Sequence, residues 1–266
     1  MAMNNIIYNS GRIFLNFLLH SLNIIKVFPY TISALYHDFK TRGKSFKEIF
    51  IKEIFNSGII AVPMVLILGF ISGVLSIVLF PFETISFGIH NIYGNLFSTI
   101  IIRELAPSLT TFVIMIRSTI SITIELSHMQ KFGEVETLEI LGINPIQYLG
   151  SIKIFAGLII LPILTLYFSI SALFGSMLSA FLINNVRIYL YLQQVLNSIN
   201  CNDIIILLSK TLISGIIIFL IAIYNGLSTT KSPNIVISNT IRAITTSIFV
   251  VLIVNIIITV GIYAAK

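Results

Sequence analysis

Arg103, Glu104 and Lys210 are charges set at or near the interiors of long apolar stretches. Such residues could line a polar cavity, relay an ion, or pair with one another across helices. A charge at the centre of a bilayer costs roughly 2.5–3.5 kcal/mol even on the lenient insertion scale, so it normally faces a cavity or a partner. Arg103 and Glu104 are adjacent, about 100° apart around a helix, and cannot share one face fully. Two readings stand: both line a cavity or pair with Lys210, or Arg103 snorkels to the nearby outer interface. A second polar feature is the island 125–148, which holds Glu125, Glu134, Glu136 and Glu139, four of the chain's ten acidic residues. No catalytic constellation accompanies these groups. His20, His37, His90 and His128 lack metal-ligand spacing, and there is no G-x-x-x-x-G-K-[ST] loop to cradle phosphates. The expectation is therefore no catalytic residue, no metal site and no cofactor in this chain.

The elements that must hold these residues follow from composition. The chain is 56% hydrophobic and 10% charged, with mean hydropathy +1.01. Soluble domains carry about 25% charged residues, so this one has too few to dress a water-facing surface. Uncharged runs cover Ile54–Phe82, Ile154–Val186, Thr211–Thr230 and Ala243–Ala265. A spanning helix needs about 20 apolar residues, and the runs lack the alternation of barrel strands. The expected fold is an all-α integral membrane protein. Its five spans run over about 56–80, 95–126, 152–180, 204–227 and 240–263, with Pro107 and Pro162 inside the second and third. A loop is expected over 183–202, with Asp203 at its edge.

Ahead of the spans, Arg12, Asn16, His20, Asn23 and Lys26 share one face of a segment whose other side is Phe14, Leu15, Leu18, Leu22 and Ile25. That pattern predicts an interfacial amphipathic helix over 11–28. The first residues lack the basic start and short apolar core of a cleavable signal. Residues 1–53 thus read as a cytoplasmic or interfacial segment, and 54–266 as the transmembrane domain, with a cytoplasmic segment at 126–150. Lys40, Arg42, Lys44, Lys47 and Lys52 precede the first span, whereas the opposite side carries only Arg187 and Lys266. The asymmetry places the N-terminus and the island in the cytoplasm and the C-terminus outside. It also accounts for the net charge of +6 without nucleic acid. Cys201 is the single cysteine, which excludes an internal disulfide.

Within the island, Val135, Leu138 and Leu141 recur at three-residue steps while Glu134, Glu136 and Glu139 point elsewhere. This predicts a short amphipathic helix ended by Gly142 and the Asn144–Pro145 turn. It is either a docking surface or a solvated connector. Arg117 and Glu125, about two turns apart, read as structural pairing or interface groups.

Arg103-Glu104-Leu105-Ala106-Pro107, Arg117, Glu125-Leu126, Met129 and Leu138-Glu139-Ile140-Leu141-Gly142-Ile143-Asn144-Pro145 together resemble the MlaE/YrbE permease family. So do Ala156-Gly157, Leu161-Pro162-Ile163-Leu164-Thr165, Asn225-Gly226 and Thr240-Ile241-Arg242-Ala243. The resemblance runs in register over most of 50–263. It implies the permease subunit of an ABC-type phospholipid transporter in a bacterial inner membrane or a plastid envelope. Such permeases work as homodimers with two ATPase subunits, which bind the ATP, and an MCE-domain substrate-binding assembly. On that resemblance, Arg103, Glu104 and Lys210 would line the lipid cavity, where a cation–anion set could hold a lipid phosphate. Glu125, Met129, Glu134, Glu136, Leu138, Glu139, Leu141, Gly142, Asn144 and Pro145 would couple to the ATPase. Pro107, Arg117, Pro162, Asn225, Gly226 and Arg242 would be structural. Departures from the family pattern fall at Met115-Ile116, Ser127-His128, Phe132-Gly133 and Ile152-Lys153, and Gly133 is expected to weaken a helix by about 1 kcal/mol relative to Ala. Other readings are a secondary transporter or channel, which the absence of an internal repeat disfavours, and a non-transporting membrane scaffold.

Overall fold

A computed structural model describes residues 43–79, 94, 97–184, 187–228 and 233–264. The amphipathic helix expected over 11–28 lies outside the described residues. The described chain is helical: α1 (Gly43–Glu53), α2 (Val62–Leu79), α3 (Ala106–Lys131), α4 (Glu134–Ile140), α5 (Ser151–Asn184), α6 (Ile188–Ser198), α7 (Cys201–Leu227) and α8 (Pro233–Ala264). Wider π turns cover Ile54–Gly58, Phe97–Leu105 and Ile146–Gly150, and a 3-10 turn covers Ile59–Ala61. Among the described residues, five stretches are long and apolar enough to cross a membrane: Lys47–Leu79, Phe97–Lys131, Ile146–Ile183, Cys201–Leu227 and Val236–Ile262. The protein is an all-α membrane protein with the expected five spans. The expected loop over 183–202 is largely α6, whose Tyr191 and Val195 are fully buried. Alternation of apolar and polar residues at helical spacing in Ile188–Ser198 carries that signal.

The chain forms two compact units. Among the described residues, one combines 43–51 with 118–155 and 217–253; the other combines 52–117, 156–216 and 254–264.

In the second unit, α2 and α5 approach closely through small residues. A Cβ added at Gly73 would stand 2.0 Å from the Ala172 carbonyl oxygen, and one at Gly175 would stand 2.3 Å from that of Phe70. Lipid tails are as apolar as leucine, so close packing of this kind is what holds helices together in a bilayer. Polar ties supplement it. Ser171 Oγ donates to the Leu66 carbonyl at 2.6 Å, and the hydroxyls of Thr110 and Thr165 meet at 2.9 Å. Arg117 donates to the Ile60 carbonyl at 3.0 Å, within the irregular turn between α1 and α2. Pro162 is tolerated inside α5, consistent with the re-satisfied backbone of membrane helices.

In the first unit, α3 crosses α7 at Asn225-Gly226. A Cβ on Gly226 would lie 2.8 Å from that of Leu126. Ser127 Oγ donates to the Gly226 carbonyl at 3.4 Å and Thr123 Oγ1 to that of Ala222 at 3.3 Å. Asn225 returns its own amide to the Ile221 carbonyl at 2.8 Å. The Phe50 and Phe155 rings pack at 5.3 Å. Arg242 is exposed on α8.

Candidate functional site

The Phe97–Leu105 π turn and the start of α3 present Arg103 and Glu104 in opposite circumstances. Arg103 is buried, and its Nε donates to Asp203, a residue with no exposed surface. Asp203 stands three residues into the entry of α7. Its other oxygen accepts the Asn200 backbone N–H at 3.0 Å, and its own N–H donates to the Asn200 carbonyl at 2.9 Å. The bond from the Asn200 N–H to the Asp203 side chain is one half of a capping box with Asn200 at the N-cap; the Asn200 side chain itself donates to the Ser198 carbonyl. A carboxylate at a helix N-terminus is further stabilised by the helix dipole. Arg103 therefore neither snorkels nor pairs with Glu104. Its partner is an aspartate that composition placed in a loop.

Lys210, two turns further along α7 on the same face as Asp203, is 1% exposed. Its Nζ donates to Glu104 Oε1 at 2.8 Å and to the Arg103 carbonyl at 3.0 Å. Pro107 explains the second bond. Proline has no N–H, so the α-helical bond onto the carbonyl four residues earlier cannot form, and the Lys210 ammonium takes up that acceptor. Thr259 of α8 approaches both carboxylate oxygens of Glu104, at 3.3 and 3.4 Å. Glu104 retains 38% side-chain exposure.

These four charges balance as two cations and two anions, and each cation has an anion within bonding distance. Breaking such a pair in a low-dielectric interior is costly because one charge is left uncompensated. Residue spacing singled out Arg103, Glu104 and Lys210, which the structure brings to one place; of the first two, only Glu104 makes a side-chain bond to Lys210. It did not flag Asp203 or Thr259. The seven-residue step from Asp203 to Lys210, two turns on one helix face, was the available signal for the first; nothing in the sequence signals the second.

In the other unit, the polar island resolves into α4 and its two flanking turns. Gly133 adopts φ 76° and Gly142 φ 75°, left-handed values that favour glycine. Gly133 sits between α3 and α4, not inside a helix as expected. It ends one helix and begins the next, its carbonyl accepting the Thr137 N–H at 3.0 Å and the Thr137 hydroxyl at 2.9 Å. At the far end, Ile143 N–H bonds to the Leu138 carbonyl and Gly142 N–H to that of Glu139, both at 2.9 Å. These are the two bonds of a Schellman cap. Asn144 Oδ1 then accepts the Ile146 N–H at 3.0 Å, turning the chain into α5.

The apolar stripe is placed differently from the expectation. Val135 is buried and Leu138 half-buried, but Leu141 is 67% and Ile140 85% exposed. Glu134, Glu136 and Glu139 are exposed around them. Glu139, Gly142, Asn144 and Pro145 line a groove of about 540 Å³ together with Gln130, Val135 and Leu227. Met129 is half-buried on α3. Glu125 stands apart from the groove and accepts a bond from Lys153 at 2.6 Å, so it pairs with neither Arg117 nor an α4 residue. His128 stacks beside Phe132 at 6.1 Å between ring centroids.

Five apolar spans, a balanced set of charges of which three are buried, and an exposed acidic helix between two of the spans describe a polytopic membrane protein. Residues 50–261 match the family model described as Permease MlaE, and the chain belongs to that family. It is 30% identical to a probable ABC transporter permease of Synechocystis sp., over 65% of this chain and 66% of that one. It is 27% identical to a probable ABC transporter permease of Rickettsia prowazekii, over 80% of this chain and 82% of the relative. TRIGALACTOSYLDIACYLGLYCEROL 1, a chloroplastic protein of Arabidopsis thaliana, is 27% identical over 60% of this chain and 46% of its own length. The chain thus spans about two thirds of the Synechocystis relative's length, four fifths of the Rickettsia relative's and less than half of the Arabidopsis relative's.

Proposed function

We propose that this chain forms the transmembrane pathway of an ABC-type phospholipid transporter and takes its driving force from a separate ATPase. The observation that carries the reading is the paired set Arg103–Asp203 and Lys210–Glu104, in which three charges are buried and the Glu104 carboxylate stays partly open. A relative whose name is that of a diacylglycerol lipid supports the lipid as cargo. The chain would act as a homodimer with two ATPase subunits, which supply the ATP site, and an MCE-domain protein on the outer side. The N-terminus and α4 would face the cytoplasm of a bacterium or the corresponding side of a plastid envelope.

The α4 helix would dock on the ATPase. Exposed Ile140 and Leu141 supply an apolar knob, and Glu134, Glu136 and Glu139 give it an acidic rim. Tight turns at Gly133 and Gly142 leave it only short connections to α3 and α5, so its displacement would be transmitted to both spans.

Two experiments test this. Charge reversal with Glu136→Lys and Glu139→Lys should release the ATPase during co-purification from detergent while the permease stays inserted; a retained stoichiometric complex would reject docking at α4. Replacing Arg103, Glu104, Asp203 and Lys210 together by Ala removes two charges of each sign and strands none. That variant should lose ATP-dependent lipid transfer between vesicles yet still assemble, and unimpaired transfer would exclude the pathway role.

A further inference from the structure

The chemistry expected of Arg103 and Lys210 was to hold a lipid phosphate, yet neither cation is disposed to do so. Lys210 is 1% exposed and already donates to Glu104 and to the Arg103 carbonyl. Arg103 is buried against Asp203, which is itself fully enclosed and capped by the Asn200 N–H. The group of this set that reaches the open is the Glu104 carboxylate, a hydrogen-bond acceptor carrying negative charge. Thr259 and Lys210 hold it in place. One turn before Thr259 on the same face of α8, Asn255 carries a buried side-chain oxygen with no hydrogen-bond partner. A carboxylate and an orphan amide oxygen both call for a donor.

We propose that Glu104 receives the primary ammonium of a zwitterionic phospholipid head group, and that the site discriminates against anionic lipids lacking an amine. The proposal rests on the lipid-pathway reading and specifies its substrate class. A primary ammonium offers three N–H donors to the carboxylate and a compact positive charge. Brought beside Glu104, the phosphate of an amine-free lipid instead adds a second negative charge next to the first, which low-dielectric surroundings make unfavourable. The two buried ion pairs then have a positioning role. Asp203 neutralises Arg103, so the guanidinium does not compete for the carboxylate or attract the phosphate. Lys210 pins one carboxylate oxygen and leaves the other for the ligand and Thr259.

The test uses the full-length permease purified in detergent and native mass spectrometry of lipid retained from equimolar mixtures with identical acyl chains. Phosphatidylethanolamine should be retained over phosphatidylglycerol by about tenfold, the scale of one charge-assisted hydrogen bond. Stepwise N-methylation to phosphatidylcholine should erode the preference as N–H donors are lost. The double variant Glu104→Gln/Lys210→Met, which removes one charge of each sign, should retain both lipids equally. Asp203→Asn should shift retention toward phosphatidylglycerol by releasing Arg103. Lipid retained without head-group preference by the unaltered protein would overturn this proposal and leave the pathway reading standing. No lipid retained at all would overturn both. The methylation series needs no substitution, so misfolding of a variant does not blunt the test.

Discussion

Within the spans, Arg103, Asp203, Lys210 and Glu104 are matched one to one at bonding distance, and three of the four are buried. Between α3 and α5, Glu134, Glu136 and Glu139 crowd a helix of seven residues, and all three are exposed. The same residue type thus behaves oppositely in the two places. In the apolar interior a charge without a partner is destabilising by several kcal/mol, so the fold must supply one for each. On the exposed helix, repulsion among acids is screened, and their accumulation carries no comparable penalty. The acids of α4 therefore stay at the surface, whereas those of the spans are committed to the fold, with Glu104 the half-open exception.

The contrast can be broken most severely at Asp203. Asp203→Ala should destabilise the protein by about 3–5 kcal/mol, because Arg103 is left buried and unpaired. Arg103→Met combined with Asp203→Leu should recover most of that loss. Thermal unfolding in detergent measures both, and a single variant as stable as the parent would remove the pairing from the argument. Next in size is Gly73→Val, which forces side-chain atoms against the Ala172 carbonyl and should cost about 1–3 kcal/mol or more by overpacking. The α4 region should answer more weakly. Gly142→Ala imposes a left-handed conformation on a residue with a Cβ and should cost about 1–2 kcal/mol, even though open space surrounds that position. Smallest of all, Glu136→Lys with Glu139→Lys should change the permease's own melting by less than about 0.5 kcal/mol. A large destabilisation there would mean that these acids are structural, and the contrast between the two regions would fail.

Much of this architecture was legible before any coordinates. The runs 54–82, 154–186, 211–230 and 243–265 each overlap a spanning helix, because length and apolarity alone determine what a bilayer accepts. The short helix ending at Gly142 was legible too, since a glycine followed by Asn-Pro is a local stop signal. Less legible were features that depend on what a residue meets after packing. Helix α6 lay where a loop was expected. Gly133, expected to weaken a helix, occupies the one conformation between α3 and α4 that favours glycine. Leu141, on the apolar repeat, points outward because each three-residue step falls about 60° short of a full turn, which puts it about 120° around the helix from Val135.

By itself, then, the sequence determined that the chain spans a membrane as helices, where those helices lie, and that charges interrupt them at 103, 104 and 210. Those facts follow from local composition and period, which need no knowledge of neighbours. Only the tertiary structure decided which charge answers which: Asp203 for Arg103, Glu104 and a proline-freed carbonyl for Lys210. Pairing depends on contacts between residues about a hundred positions apart. Helical spacing says which face a side chain occupies, but not what that face meets.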